Sequence, residues 1–190
     1  FGKNKKPTSQ KNNMKTKDVK ICFFGTYDRA YSSNKIILDG LKLNNISVLE
    51  IHNEIKISRL NNKKDLGIVA IIKRLLLKLS LIPLTIKKYK EIKNCDILFV
   101  GYPGHIDLLL AYLVAKIFGL KLVFYPLIIL YITFTEDIEL LKKSSLMAKT
   151  LLTFERFLYM LPDVIIADIP YQKNFFQEKL GVPITKLKEI

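Results

Sequence analysis

Tryptophan is absent, and histidine and cysteine are each represented by two residues only, His52 with His105 and Cys22 with Cys95. So few and so scattered ligands give no metal-binding spacing, and no metal centre is expected. The cysteines stand in or beside predicted strands and form no CxxC pair, which reads as buried free thiols in a reducing cytosol. Acids are scarce: 17 Asp and Glu face 31 Lys and Arg, a net charge of +14. Such a surface attracts anionic partners, namely lipid headgroups, phosphates or nucleic acid. Nucleic acid rests on charge alone, with little interleaving of aromatic and basic residues, and is not expected as a partner. Long hydrophobic runs are missing too. The longest uncharged stretch, Leu122–Thr135, contains Pro126 and falls short of the roughly 20 residues of a membrane span. Phe1–Lys20 is polar and lysine-rich, unlike a signal peptide. No GxGxxG, Walker loop, Ser-His-Asp elbow or zinc-finger pattern occurs, which removes the common nucleotide, hydrolase and finger readings.

What is present is enough apolar material for a core: 49% of 190 residues are hydrophobic. Residues 1–18 are Lys/Asn/Gln-rich and read as a disordered basic tail. Residues 19–190 read as one Rossmann-like domain. The chain begins with Phe1 and stops at Ile190 without a terminal signal, as a piece of a longer protein would.

The domain is organised around Asp96–Tyr125. Two short apolar runs, Ile97–Val100 and Leu122–Phe124, flank a stretch with helical spacing, Ile106–Phe118. Continuous apolar runs suit strands buried on both faces, as in a parallel sheet, and strand, helix, strand makes a βαβ unit. Val19–Phe24, Asn34–Leu43 and Ile46–Ile51 repeat that pattern, with Gly25 ending the first strand. Leu66–Leu79 reads as a helix broken by Pro83. Leu146–Leu161 is a long helix, Asp163–Ala167 a strand, and Tyr171–Leu180 a helix opened by Pro170 and closed by Gly181. Leu187–Ile190 begins one more strand. Glu136 and Asp137 read as acids of a helix's first turn. The sum is a doubly wound, mostly parallel, Rossmann-like α/β sheet.

Two loops sit at carboxyl ends of strands, where open α/β sheets bind ligands. Gly101-Tyr102-Pro103-Gly104-His105 is one. A neutral His105 imidazole there can act as a base on a hydroxyl or donate to a sugar or phosphate. Alternatively, His105 and Asp107 are simply first-turn residues of a helix, the acid suiting its dipole. Gly25–Arg29 is the other loop, able to touch a phosphate or sugar through Arg29 and the Gly25 backbone, or else an exposed polar loop. From Lys56 to Lys93 there are eleven Lys/Arg against Asp65 and Glu91. Lys73, Arg74, Lys78, Lys87 and Lys88, beside a broad apolar helix face, read as contacts to an anionic bilayer; a solvated helix face is the alternative.

KICFFGTYDRAYSSNKIILDGL, DILFVGYPGHIDLLLAYLVAKIFGLKLVFY and DVIIADIPYQKNFFQEKLGVPITKLKEI together resemble the N-terminal domain of retaining GT-B glycosyltransferases of the family-four (group 1) type. The resemblance runs from Lys20 to Ile190. It implies two Rossmann-like domains facing a cleft. The N-terminal one binds the acceptor, and a C-terminal one, missing here, grips the nucleotide-sugar donor. It implies His105 as catalytic, and Gly25, Thr26, Arg29, Gly104 and Asp107 as acceptor-binding. The donor is a co-substrate, with no other cofactor. The acceptor is a glycan or lipid, the location is cytoplasmic and peripheral on the inner face of the membrane, and this half alone transfers no sugar. The chain departs from the pattern after the fourth strand. Aspartates are absent at Tyr125 and Ile132, and Ser33 stands where an arginine is common. A degenerate, non-catalytic module binding membrane or a partner is the alternative reading.

Overall fold

Runs that stay apolar on both faces become the strands. A computed structural model of the chain describes residues 19–54 and 78–189. β1 (Lys20–Tyr27), β2 (Ser47–Glu54), β3 (Ile97–Val100), β4 (Lys121–Phe124), β5 (Val164–Ala167) and β6 (Leu187–Glu189) form one sheet in the order β2-β1-β3-β4-β5-β6. Every pairing is parallel. The sequence patterns predict this architecture, and the structure has it.

The helices are α1 (Ser32–Leu43), α2 (Leu81–Lys87), α3 (Tyr89–Lys93), α4 (Asp107–Phe118), α5 (Leu146–Met160) and α6 (Pro170–Glu178). Local chemistry sets their ends. Asp107 occupies the first turn of α4, and Gly119 closes that helix at φ 67°, a left-handed conformation that glycine adopts freely. Ser145 Oγ accepts the Ala148 N–H at 3.1 Å and caps α5. Pro170, with no N–H to satisfy, opens α6.

Successive strand residues alternate between two cores. Cys22, Phe24, Leu98, Val100, Leu122, Phe124, Ile165 and Ala167 pack against α2 to α6. Ile21, Phe23, Phe99, Val123 and Tyr125 face the other way, with Leu38 of α1.

β2 runs on to Glu54, three residues past the expected end at Ile51, and other boundaries differ from the sequence reading too. β1 continues past Gly25, because Gly25, Thr26 and Tyr27 pair with His52, Asn53 and Glu54. Pro83 lies in the first turn of α2, where its missing N–H costs nothing. Glu136 and Asp137 close a π-helical turn, Thr133–Asp137, and open no helix. The expected tail 1–18 lies outside the described residues. So does the expected helix Leu66–Leu79 up to residue 77, with Lys73 and Arg74.

Two glycines give opposite expectations. A Cβ on Gly104 would run into the Gly101 carbonyl and the Val100 side chain, whereas one on Gly40, within α1, meets no described atom within 4 Å. Gly104→Ala is expected to cost about 1–3 kcal/mol as overpacking and to lower the melting temperature by several degrees. Gly40→Ala is expected to gain about 0.5–1 kcal/mol from helix propensity. Thermal unfolding followed by circular dichroism measures both. A Gly104→Ala protein melting with the parent would show that the turn has room to spare.

Candidate functional site

The direction of chain progression reverses between β1 and β3, since β1 leads outward to β2 and β3 leads the other way to β4. Loops leaving the two carboxyl ends part at such a switch point and open a crevice where ligands bind.

Asp107 stands at this crevice with its side chain wholly buried. Its Oδ2 accepts the Thr26 backbone N–H at 2.9 Å and the Thr26 hydroxyl at 2.8 Å. Its Oδ1 accepts from the Lys78 ammonium at 2.9 Å, and the same ammonium donates to Thr26 Oγ1 at 2.8 Å. Gly25 supports the contact from beside: at φ 137° it takes a conformation that other residues avoid, and a Cβ there would press to 3.2 Å from Asp107 Oδ2. Of the five residues expected to bind an acceptor, Gly25, Thr26 and Asp107 lie together. Asp107 is an engaged carboxylate holding the start of α4 to the end of β1.

Lys78 is where the structure corrects the sequence reading. Expected at a bilayer, it is turned inward, its side chain 14% exposed, because the buried Asp107 charge requires a partner. Lys87 is exposed, and Lys88 lies 3.8 Å from Glu91 at the surface. Arg29 also differs from expectation. Its guanidinium pairs with Glu50 of β2 at 2.9 Å, on the same oxygen that accepts the Tyr27 hydroxyl at 2.9 Å. There it lines a shallow cavity of about 520 Å³ with Lys35, Asp39 and Glu54, away from Asp107. Burial pushes the Glu50 carboxyl upward, but the Tyr27 and Arg29 hydrogen bonds outweigh it and hold Glu50 below its ordinary value.

The turn after β3 is tied to α1. Asn34 Nδ2 donates to the Tyr102 carbonyl at 2.6 Å and to the Asp28 carbonyl at 3.2 Å. Its Oδ1 is buried without a hydrogen-bond partner among the described residues. A Cβ at Gly101 would come within 2.6 Å of that oxygen, so the turn needs glycine there. Tyr31 and Tyr102 stack at a tilt, ring centroids 4.9 Å apart.

His105 follows Gly104 but points into the core, 3% exposed. Its ring meets Phe124 edge-on at 5.3 Å and lies 6.2 Å from Tyr159. Burial pushes its pKa down to about 3, against a hydrogen bond with the Ile128 backbone that favours the charged form. Glu155 Oε1 is 3.9 Å from His105 Nε2, but a neutral imidazole makes no ion pair, and Nε2 has no hydrogen bond among the described residues. The expected contact between His105 and an acceptor is thus not present in this geometry: the apolar stretch after β4 folds over the ring. Glu155 of α5 holds that stretch, accepting the Leu130 and Tyr131 N–H groups at 2.7 and 3.0 Å. Burial raises its pKa to about 7, against those two bonds. Among the described residues, no group of His, Cys, Asp or Glu could hold a metal ion.

Asn34 and Glu155 escaped the sequence reading as site residues, and Lys78 was read as a membrane contact. Only Glu155 carried a signal, an acid on the apolar stripe Ala148, Leu152, Leu158 of its helix.

No known family's profile matches the chain, and no curated protein does. Among solved structures it is similar to Alr3699/HepE of Anabaena. The form in complex with UDP and glucose is 15% identical, with 90% of this chain and 44% of that chain covered at a TM-score of 0.48. The UDP-glucose complex is 15% identical, with 90% and 43% covered at a TM-score of 0.45. The chain therefore spans less than half the length of these neighbours.

His105 and Glu155 predict a pH dependence. Folded Glu155 keeps its proton up to about 7, against an ordinary 4.5, so its contribution is complete below pH 4.5 and is lost as pH rises to 7. Folded His105 stays neutral down to about 3, against 6.5, so its contribution is complete above pH 6.5 and is lost as pH falls. Between those ordinary values the slopes oppose, and parent stability is expected to be nearly flat. Glu155→Gln removes one slope. Its stability should fall with acidification at up to about 1.4 kcal/mol per pH unit over that window. Urea unfolding at three pH values reads this; parallel parent and variant curves would refute the pairing of opposite shifts.

Proposed function

We propose that the chain is the acceptor-binding half of a glycosyltransferase of GT-B fold, moving a sugar from a nucleotide-sugar donor to a membrane-associated or glycan acceptor. One observation carries the reading. The two segments that bear the sequence resemblance, Gly25–Thr26 at the end of β1 and the Tyr102–Asp107 turn into α4, are fastened together at the switch point by a single carboxylate. A second domain downstream of Ile190 would supply the grip on ribose and diphosphate, and the donor would be a co-substrate, with no other cofactor.

In this reading Lys78 is the residue that meets the acceptor. An ammonium has three donors; two serve Asp107 and Thr26, and among the described residues the third has no partner, leaving it for a hydroxyl or phosphate. Tyr31, half-buried beside Tyr102, offers a ring face to a sugar. Gly25 and Gly104 let the backbone come close. His105 is a positioning residue, its neutral ring packing the turn onto Phe124. The enzyme would work on the cytoplasmic face of a membrane, held peripherally. The net charge of +14 supports that placement; among the described residues, no helix is long and apolar enough to cross a membrane.

The test uses the full reading frame. Lys78→Gln keeps a hydrogen-bonding group for Asp107 but loses the charge. It is expected to lower kcat/KM for the acceptor by about 10²-fold through lost positioning, with the KM for the donor unchanged. A folded Lys78→Gln protein that transfers sugar at the parent's rate would remove Lys78 from the site. A full-length protein that consumes no nucleotide sugar would overturn the reading as a whole.

A further inference from the structure

α4 is apolar on all sides, yet it is not covered on all sides. Leu108, Ala111, Val114 and Ala115 are buried against the sheet. On the opposite side Ile106, Leu109, Leu113 and Ile117 recur at helical spacing and are exposed, Leu113 by 57% and Ile117 by 75%. A helix hydrophobic all round is normally buried all round, and an exposed apolar stripe of this kind marks an interaction surface.

The neighbours of the stripe say what covers it. Leu81 of α2 and Ile92 of α3 share one core with the buried side of α4. The outer sides of α2, α3 and α4 therefore look away from the same sheet face. On α2 that outer side adds Ile82 and Ile86. The same three helices carry Lys87, Lys90, Lys93 and Lys116, all exposed. Glu91 is the only exposed acid on the three helices. A second copy of a chain carrying +14 would bring lysines against lysines. An anionic lipid surface satisfies both features: its headgroups meet the cations and its acyl boundary takes the aliphatics.

We infer that the outer face of α4, flanked by the lysines of α2 and α3, is where the protein lies on an anionic bilayer, with the helix parallel to the surface. A helix of 12 residues is about 18 Å long, too short to span. This rests on the membrane part of the reading above and not on the transferase part, and it moves the contact away from the expected stretch around Lys73 and Arg74.

The test is vesicle flotation of the intact chain, which measures no sugar transfer. Vesicles of neutral phosphatidylcholine alone are compared with vesicles containing about 30% phosphatidylglycerol, at about 50 and about 500 mM salt. Binding is expected only with the anionic lipid, weakened but not abolished by salt. Leu113→Gln with Ile117→Gln changes exposed residues, so the fold should persist, as circular dichroism and melting will report. That pair is expected to lower the partition coefficient at least tenfold and to remove the salt-resistant fraction. Lys87→Gln with Lys90→Gln and Lys93→Gln should remove the salt-sensitive part. A folded Leu113/Ile117 variant that floats like the parent, while Lys73→Gln with Arg74→Gln abolishes binding, would place the contact elsewhere and overturn the inference. No binding of the parent to either vesicle would overturn the membrane reading itself. A parent dimer in light scattering that Leu113→Gln with Ile117→Gln dissolves would make the stripe a subunit interface instead.

Discussion

A buried carboxylate must be hydrogen-bonded and paired, or it cannot remain ionised inside a protein. Asp107 meets that requirement with three donors, the Thr26 N–H, the Thr26 hydroxyl and the Lys78 ammonium. The partners belong to segments 81 and 29 residues away. The consequence is geometric. With Asp107 fixed, the start of α4 is fixed, and the turn Gly101–His105 must close in the space that remains. That space admits no Cβ at Gly101 or Gly104 without displacement of a neighbour. Gly25, on the β1 side, is less tightly enclosed, a Cβ there lying 3.2 Å from Asp107 Oδ2, but its φ of 137° favours glycine. The crevice at the switch point is thus a clamp between two strand ends, closed by the pairing of Lys78 with Asp107.

The other side of the same turn is governed by the opposite physics. His105 leaves Gly104 toward Phe124 and Tyr159, and the chain after β4 closes over it. That stretch, Pro126–Ile132, is the place where the sequence departs most from the pattern it otherwise resembles. The Ile128 backbone hydrogen-bonds the histidine, which is 3% exposed. Burial has two electrostatic costs. The imidazole must stay neutral, its pKa pushed down to about 3 by burial. The Glu155 carboxyl that anchors the stretch through two backbone N–H groups is drawn into the same interior and pushed up to about 7. Burial therefore acts on both groups in opposite directions, lowering His105 and raising Glu155, while Glu155 ties down the Leu130 and Tyr131 N–H groups.

Much of this frame was legible in the sequence, because its signals are local. Continuous apolar runs at Ile97–Val100 and Leu122–Phe124 announce strands covered on both faces, and the helix between them dictates parallel pairing. Pro170 marks a helix start by its fixed φ and missing N–H. The site was half legible. Gly25, Thr26 and Asp107 follow from their positions at the carboxyl ends of two strands, and a parallel sheet brings such ends together. Lys78 was not legible as a site residue: among neighbouring lysines and leucines it looks like any surface cation, and only the distant Asp107 distinguishes it. Asn34 follows two serines at a helix start, with nothing in its surroundings to announce a bond to Tyr102. His105 misled because a histidine after two glycines and a proline suggests an open turn. The residues that close it lie more than twenty positions later, in a stretch noticed for its apolarity but not connected to the histidine.

α4 joins the two surfaces that matter. Its first residue, Asp107, builds the crevice, and the exposed stripe begins one residue earlier, at Ile106, and runs along the outer side through Leu109, Leu113 and Ile117. The charges are divided in the same way. Lys78 is drawn inward by Asp107, while Lys87, Lys90, Lys93 and Lys116 stay outside. A cation held by a buried carboxylate is little screened by salt, whereas cations at the surface are screened within about 10 Å. Crevice and outer face should therefore respond differently to ionic strength although one rigid helix connects them. A bilayer lying along that helix would have its surface adjacent to the mouth of the crevice. An acceptor anchored in lipid would then reach Lys78 by sliding past Ile106, without leaving the membrane.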